Sequence, residues 1–61
     1  MMFEKYLNQN VVIELKNGRK YFGELVAIDK ERNYICWITL KKRSKTQDFC
    51  DTEIARVEGL E

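Results

Sequence analysis

The dipeptide Asn17-Gly18 most constrains this fold, because it separates two segments that are rich in β-forming residues. Residues 11–15 (VVIEL) predict a half-buried strand, and residues 19–29 predict a second, longer one. An Asn-Gly pair favours the positive φ angles of a type I′ turn, which joins antiparallel strands. Gly23 lies inside the second strand and predicts a bend that curls a small sheet onto itself.

The other segments predict one short helix and three more strands. Apolar side chains at Phe3, Tyr6 and Leu7 share one face of a helix of one or two turns. Along the chain there follow a polar turn (29–33), an apolar central strand buried on both faces (34–40), a basic loop (41–46), a short fourth strand (47–50), a tight corner (51–53) and a last strand (54–60). The predicted fold class is mainly β: a short N-terminal helix followed by a strongly bent five-stranded antiparallel SH3-like barrel, with residues 1–61 as one domain.

Size and charge both favour assembly with further copies. A chain of 61 residues buries a small core, and such folds often gain stability from disulfides, metals or oligomerisation. The net charge of +1 hides an asymmetry: residues 1–46 carry ten Lys/Arg and five Asp/Glu, whereas residues 47–61 carry one Arg and five acids. A basic body with an acidic end suits polyanions, or head-to-tail contacts between copies.

The cysteine and histidine content argues against metal and nucleophilic chemistry. The chain has two cysteines, Cys36 and Cys50, and no histidine, so no zinc pattern and no nucleophile–base pair occur in it. We expect two buried free thiols in a cytoplasmic protein, with no cofactor and no catalytic site. No apolar stretch is long enough to cross a membrane, so we expect no membrane partner.

Residues 11–25 (VVIELKNGRKYFGEL), followed by Asp29 and Asn33, resemble the first sequence motif of the Sm-like (LSm) family. The resemblance implies an N-terminal helix on a bent five-stranded Sm barrel. It also implies a ring of copies in which the fourth strand of one protomer pairs with the fifth strand of the next. Proteins of this family typically bind single-stranded, uridine-rich RNA inside the ring.

The resemblance also implies roles for individual residues. Asn33 stands where the family reads a base by hydrogen bonding, Asp29 where a residue orients the pocket, and Glu31 at the base-stacking position. The second family motif diverges, since Cys50 and Asp51 occupy the positions of its Arg-Gly pair. A carboxylate stacks poorly on a base, and the pocket lacks its usual cation.

The basic segment offers a second candidate contact with RNA. Lys41, Lys42, Arg43 and Lys45 would grip phosphates if they were repeated around a ring, and the alternative is a solvated hairpin loop. Phe22 should point away from the core if Tyr21 points inward, which predicts an interface or partner contact.

These observations predict a non-enzymatic homo-oligomeric ring that binds single-stranded RNA, as an RNA chaperone or RNA-processing factor. One alternative is an Sm-like ring that serves as a protein-interaction scaffold and has lost its uridine pocket. The other is a monomeric SH3-like or Tudor-like binder of peptides.

Overall fold

Five antiparallel strands joined in one sheet form a mainly β architecture, as described by a computed structural model for residues 3–30 and 35–60. The strands are β1 (Asn10–Leu15), β2 (Lys20–Asp29), β3 (Trp37–Lys42), β4 (Lys45–Cys50) and β5 (Ile54–Gly59), with 3₁₀ segments at Glu4–Tyr6 and Asp51–Glu53. Their order in the sheet is β4-β3-β2-β1-β5, so β4 and β5 are its two edges. Hydrogen bonding between strands therefore does not close the predicted barrel within one chain.

Alternating side chains of the strands build the core. Val11 and Ile13 of β1, Leu25 of β2 and Ile38 of β3 are fully buried. Phe49 of β4 joins the same cluster, so strands from both halves of the sheet share one core. In β1 and in the first part of β3, buried side chains alternate with more exposed ones, so one side of each faces the core.

The long strand β2 belongs to two antiparallel pairings. Its first half pairs with β1 and its second half with β3, and the register with β3 shifts between Leu25 and Ala27. A Cβ atom on Gly23 would lie 2.8 Å from the carbonyl oxygen of Lys41. Gly23 is therefore needed for close approach of β2 to β3, and the register shift lies beyond it along the strand.

The N-terminal α-helix prediction is not confirmed, because the predicted turn is 3₁₀ rather than α-helical. Glu4–Tyr6 form a single 3₁₀ turn, which ends before Asn8, a residue with a φ of 67°. Phe3 is buried and Tyr6 packs against the core, but Leu7 is exposed. One turn is enough to bury Phe3, while an isolated helix of this length has little stability of its own.

The β1–β2 turn lies where the sequence predicts it but is not of type I′. Only Gly18 has a positive φ, 91°, among residues 16–18. The Gly18 N–H donates to the Leu15 carbonyl, and the Leu15 N–H donates to the Arg19 carbonyl. This pattern fits a three-residue loop closed by a glycine bulge.

The segment predicted as a basic loop is mostly strand. β3 continues to Lys42 and β4 starts at Lys45, so only Arg43 and Ser44 form the turn. Arg43 has a φ of 60°, in the left-handed region that glycine and asparagine usually fill. No glycine or asparagine marks this turn, which is why the sequence predicted a longer loop over 41–46.

The prediction of a central strand buried on both faces is also wrong. In β3, buried Ile38 and Leu40 alternate with partly exposed Trp37 and Thr39. Apolar composition alone cannot separate a doubly buried strand from one that covers a core on one side. Within residues 3–30 and 35–60, no helix has the length and apolar character needed to span a bilayer.

Candidate nucleic-acid interface

Strand β3 separates the predicted site residues into two groups. Asp29 pairs with Trp37 at one end of β3, and Lys42 pairs with Lys45 at the other. The five residue steps between Trp37 and Lys42 span roughly 16 Å of extended chain. We call the first region the loop end (Asp29, Lys30, Cys36, Asp51) and the second the hairpin end (20–22 and 42–47).

The hairpin end forms an open groove of about 930 Å³. It joins the start of β2 to the β3–β4 hairpin, with an apolar floor and a rim of cationic side chains. The floor comprises Tyr21, Leu40 and Phe49, exposed Phe22 lies at the rim, and the cations are Lys20, Lys42, Arg43 and Lys45. A groove of this composition offers aromatic faces and positive charge to the same ligand.

Aromatic contacts fix the floor of the groove. The rings of Tyr21 and Phe49 lie 5.0 Å apart between centroids, tilted by 51°. Phe22 points the other way, as the sequence predicts, and is 56% exposed. The ammonium of Lys42 lies 4.0 Å from the centre of the Phe22 ring, a cation–π contact that holds both side chains at the rim.

The short turn determines where the cations lie. Because Arg43 and Ser44 are the only residues between paired Lys42 and Lys45, the hairpin ends in a tight tip rather than a long loop. Residues 41–48 are all exposed, so their charges face water. Lys41 lies opposite Glu24 in the β2–β3 register, which partly offsets its charge.

The loop end has a different electrostatic character. The Asp51 N–H donates to the Cys36 carbonyl at 2.9 Å, which ties the corner before β5 to the start of β3. Burial raises the pKa of the Cys36 thiol, and the Asp51 and Asp29 carboxylates raise it further, while Lys30 opposes them. Two carboxylates therefore act on this end of the sheet, with one ammonium against them.

Both cysteines are buried and free, as the sequence predicts. Cys50 lies opposite Trp37 in the β3–β4 register, and its sulfur lies 3.0 Å from the Thr52 hydroxyl oxygen. Cys36 belongs to the core cluster on the other side of the strand. Neighbouring positions alternate between the two faces of a sheet, so the two thiols point apart.

Among the residues that the structure describes, those predicted to contact RNA do not form one site. Asp29 lies at the loop end, whereas Lys42, Arg43 and Lys45 surround the groove and Lys41 adjoins it. Glu31 and Asn33 lie outside the described residues.

Sequence reasoning missed several contributors to the groove, among them Lys20, Tyr21 and Phe49. The sequence signal for Lys20 and Tyr21 was their position next to Phe22 at the start of the predicted second strand. Phe49 comes from another strand, so its place beside Tyr21 depends on the folded sheet.

Comparison with known proteins supports the resemblance seen in the first motif. The family model of the LSM domain matches residues 1–35, which include β1, the β1–β2 turn and all of β2. No curated protein and no solved structure matches the chain. The match covers more than half of the 61 residues, and the five-stranded antiparallel sheet agrees with it. The chain belongs to the LSM domain family.

Proposed function

We propose that copies of this chain form a homo-oligomeric ring that binds single-stranded RNA at the hairpin end. Membership of a family whose proteins generally form rings and bind RNA supports the general class. The observation that carries the specific proposal is the groove, where four cations surround an aromatic floor. Such a surface meets both the phosphates and the bases of a flexible strand.

The open edges of the sheet support the ring. β4 and β5 lie at opposite ends of the strand order, so each copy offers one edge to each of two neighbours. An unpaired edge strand attracts another strand, and a head-to-tail contact repeated by rotation closes into a ring. The small core of a 61-residue chain would gain burial from each such contact.

The charge contrast between the two ends supports RNA binding at the hairpin end rather than at the loop end. Lys20, Lys42, Arg43 and Lys45 bring four positive charges per copy to the groove. At the loop end, Asp29 and Asp51 carry negative charge near Cys36. We propose that Lys41, Lys42, Arg43 and Lys45 contact phosphates, while Asp29, Glu31 and Asn33 contribute at most weak base contacts.

The experiment is a binding titration of labelled oligo-uridine and oligo-adenosine over a range of salt concentrations. We expect the logarithm of the binding constant for both RNAs to fall linearly with the logarithm of the salt concentration. The slope should be about −0.7 for each phosphate contact. The variant Lys42→Glu/Arg43→Glu should bind at least ~10-fold more weakly. The matched control Lys5→Glu/Lys16→Glu changes the charge equally, at exposed positions outside the groove, and should bind nearly as well as the unaltered chain.

Two results would overturn the RNA proposal. One is the absence of binding to either RNA at low salt, and the other is an equal loss in the hairpin variant and in its control. Native mass spectrometry of the same samples tests the ring separately, since a single species of 7.3 kDa at micromolar concentration would rule it out.

The acidic loop end favours a second candidate function. A ring that carries Asp29 and Asp51 in each copy, without the Arg of the family's second motif, repels phosphate on that side. Such a ring would serve as a protein scaffold. Ring mass without RNA binding, together with proteins that remain bound after nuclease treatment, would identify this function.

A further inference from the structure

We infer that β4 of one copy pairs with β5 of the next in one register, which places Asp48 opposite Arg56 of the next copy. This inference rests on the proposed ring and adds the alignment of its subunit boundary. The faces and charges of the two edge strands support this alignment.

On β4, Asp48 faces away from the core. Its neighbour Phe49 is buried and pairs with Ile38, whereas Asp48 pairs with Thr39. The Thr39 hydroxyl donates to the Asp48 carboxylate at 2.7 Å, which holds the carboxylate on the outer face. Thr46 lies two residues earlier and so shares that outer face.

On β5, Arg56 faces away from the core. Its guanidinium Nε lies 2.8 Å from the Glu14 carboxylate of β1 and 3.6 Å from that of Glu58. The intervening Val57 packs against the core. Arg56 and Glu58 therefore lie on the outer face, as Thr46 and Asp48 do on β4.

A shift of one residue would put the outer face of one strand on the inner side of the other. The inferred register is therefore compared only with registers shifted from it by two residues. With Asp48 opposite Arg56 of the next copy, a carboxylate meets a guanidinium at cross-strand distance. A shift in one direction places Asp48 opposite Glu58, so that two like charges meet. A shift in the other direction places Asp48 opposite Ile54, which is buried in its own core.

Disulfide trapping tests the register without replacing Asp48 or Arg56. In the inferred register Thr46 lies opposite Glu58 of the next copy, so Thr46→Cys/Glu58→Cys should form a ladder of covalent multimers on non-reducing gels after mild oxidation. The matched variant Thr46→Cys/Leu60→Cys reports the register shifted by two residues and should stay mainly uncrosslinked. Thr46→Cys alone should give dimers at most.

Native mass spectrometry of the same variants separates failure of the register from failure of the ring. If the ring forms but only Thr46→Cys/Leu60→Cys gives covalent multimers, the inferred register is wrong and the ring stands. The same holds if the ring forms and neither double variant gives covalent multimers. A chain that remains 7.3 kDa before oxidation overturns the ring, and the register with it. A ladder in the 46–58 variant alone is the expected result.

Discussion

The two ends of strand β3 differ in charge and in the length of the connection next to them. At the hairpin end, a two-residue turn and four cations surround an aromatic groove. At the loop end, Asp29 and Asp51 lie near a buried thiol, with Lys30 as the opposing charge. A family member can therefore keep its sheet while the charge that suits RNA lies at one end of a strand and the carboxylates at the other.

The largest expected effect concerns the backbone that supports the hairpin end. A side chain on Gly23 would meet the Lys41 carbonyl at 2.8 Å, so we expect Gly23→Val to lower the free energy of unfolding by about 2 to 3 kcal/mol. Gly18 has open space around it but a φ of 91°, so Gly18→Ala should cost about 1 to 2 kcal/mol. Urea unfolding measures both, and an equal or smaller loss in Gly23→Val would contradict the close approach of β2 to β3.

Removing the carboxylate of Asp51 tests whether the acidic loop end weakens RNA binding. We expect Asp51→Asn to raise the affinity for oligo-uridine roughly threefold at low salt, because each copy in a ring would lose one repelling charge. The effect should shrink as salt screens it. Reduced affinity in this variant would mean that Asp51 supports RNA binding, and the contrast between the two ends would fail.

Arg43 should lower the stability of the hairpin through its backbone conformation while its side chain supplies a positive charge. Its φ of 60° costs an L-residue about 1 kcal/mol, so Arg43→Gly should raise the free energy of unfolding by about that amount. The same change removes one cation per copy and should weaken RNA binding. Arg43→Lys is the matched control, since it keeps both the strained backbone and the charge. Stability unchanged in Arg43→Gly would be inconsistent with strain at this turn.

The pKa of Cys36 measures the charge balance at the loop end directly. Asp51 raises this pKa and Lys30 lowers it, so Asp51→Asn should lower the pKa and Lys30→Gln should raise it. Titration of ¹³C-labelled cysteine by NMR reads the thiol without requiring it to react. Shifts in the same direction for both variants would refute this account of the electrostatics.

The smallest effect is expected at the contact between the N-terminal turn and the loop end. Lys30 donates to the Glu4 carboxylate at 2.9 Å, which lowers the pKa of Glu4 below its ordinary value. The contact therefore adds stability above the pKa of the unfolded chain and loses it as the pH falls through the lower folded pKa. Because both side chains are exposed, Glu4→Gln should only slightly reduce the fall in the free energy of unfolding between neutral and acidic pH. A large loss at neutral pH would contradict this.

How far the sequence predicts the fold depends on how local each signal is. The β1–β2 turn follows from Asn17-Gly18, and the five strands follow from β-rich segments between polar ones. The two-residue length of the β3–β4 turn was not predicted, because the paired strands on either side constrain Arg43 to its positive φ. Local propensity does not record such a constraint.

The candidate site was less predictable than the fold. The sequence predicted RNA contacts for Asp29 from the family resemblance and for Lys42 from the basic segment, without showing how far apart the two lie. The antiparallel pairing of β2 and β3 then placed them at opposite ends of a strand. The apolar floor depends on Tyr21 meeting Phe49, a contact between distant residues that only the folded sheet creates.

The two open edges of the sheet, β4 and β5, have a consequence for how much folded protein a cell would hold. When neighbours bind only the folded form, every contact withdraws chains from the unfolded pool by mass action. The melting temperature of this chain should then rise with its own concentration. In the proposed ring, a higher concentration of the chain would stabilise the folded form, and dilution would lower its stability.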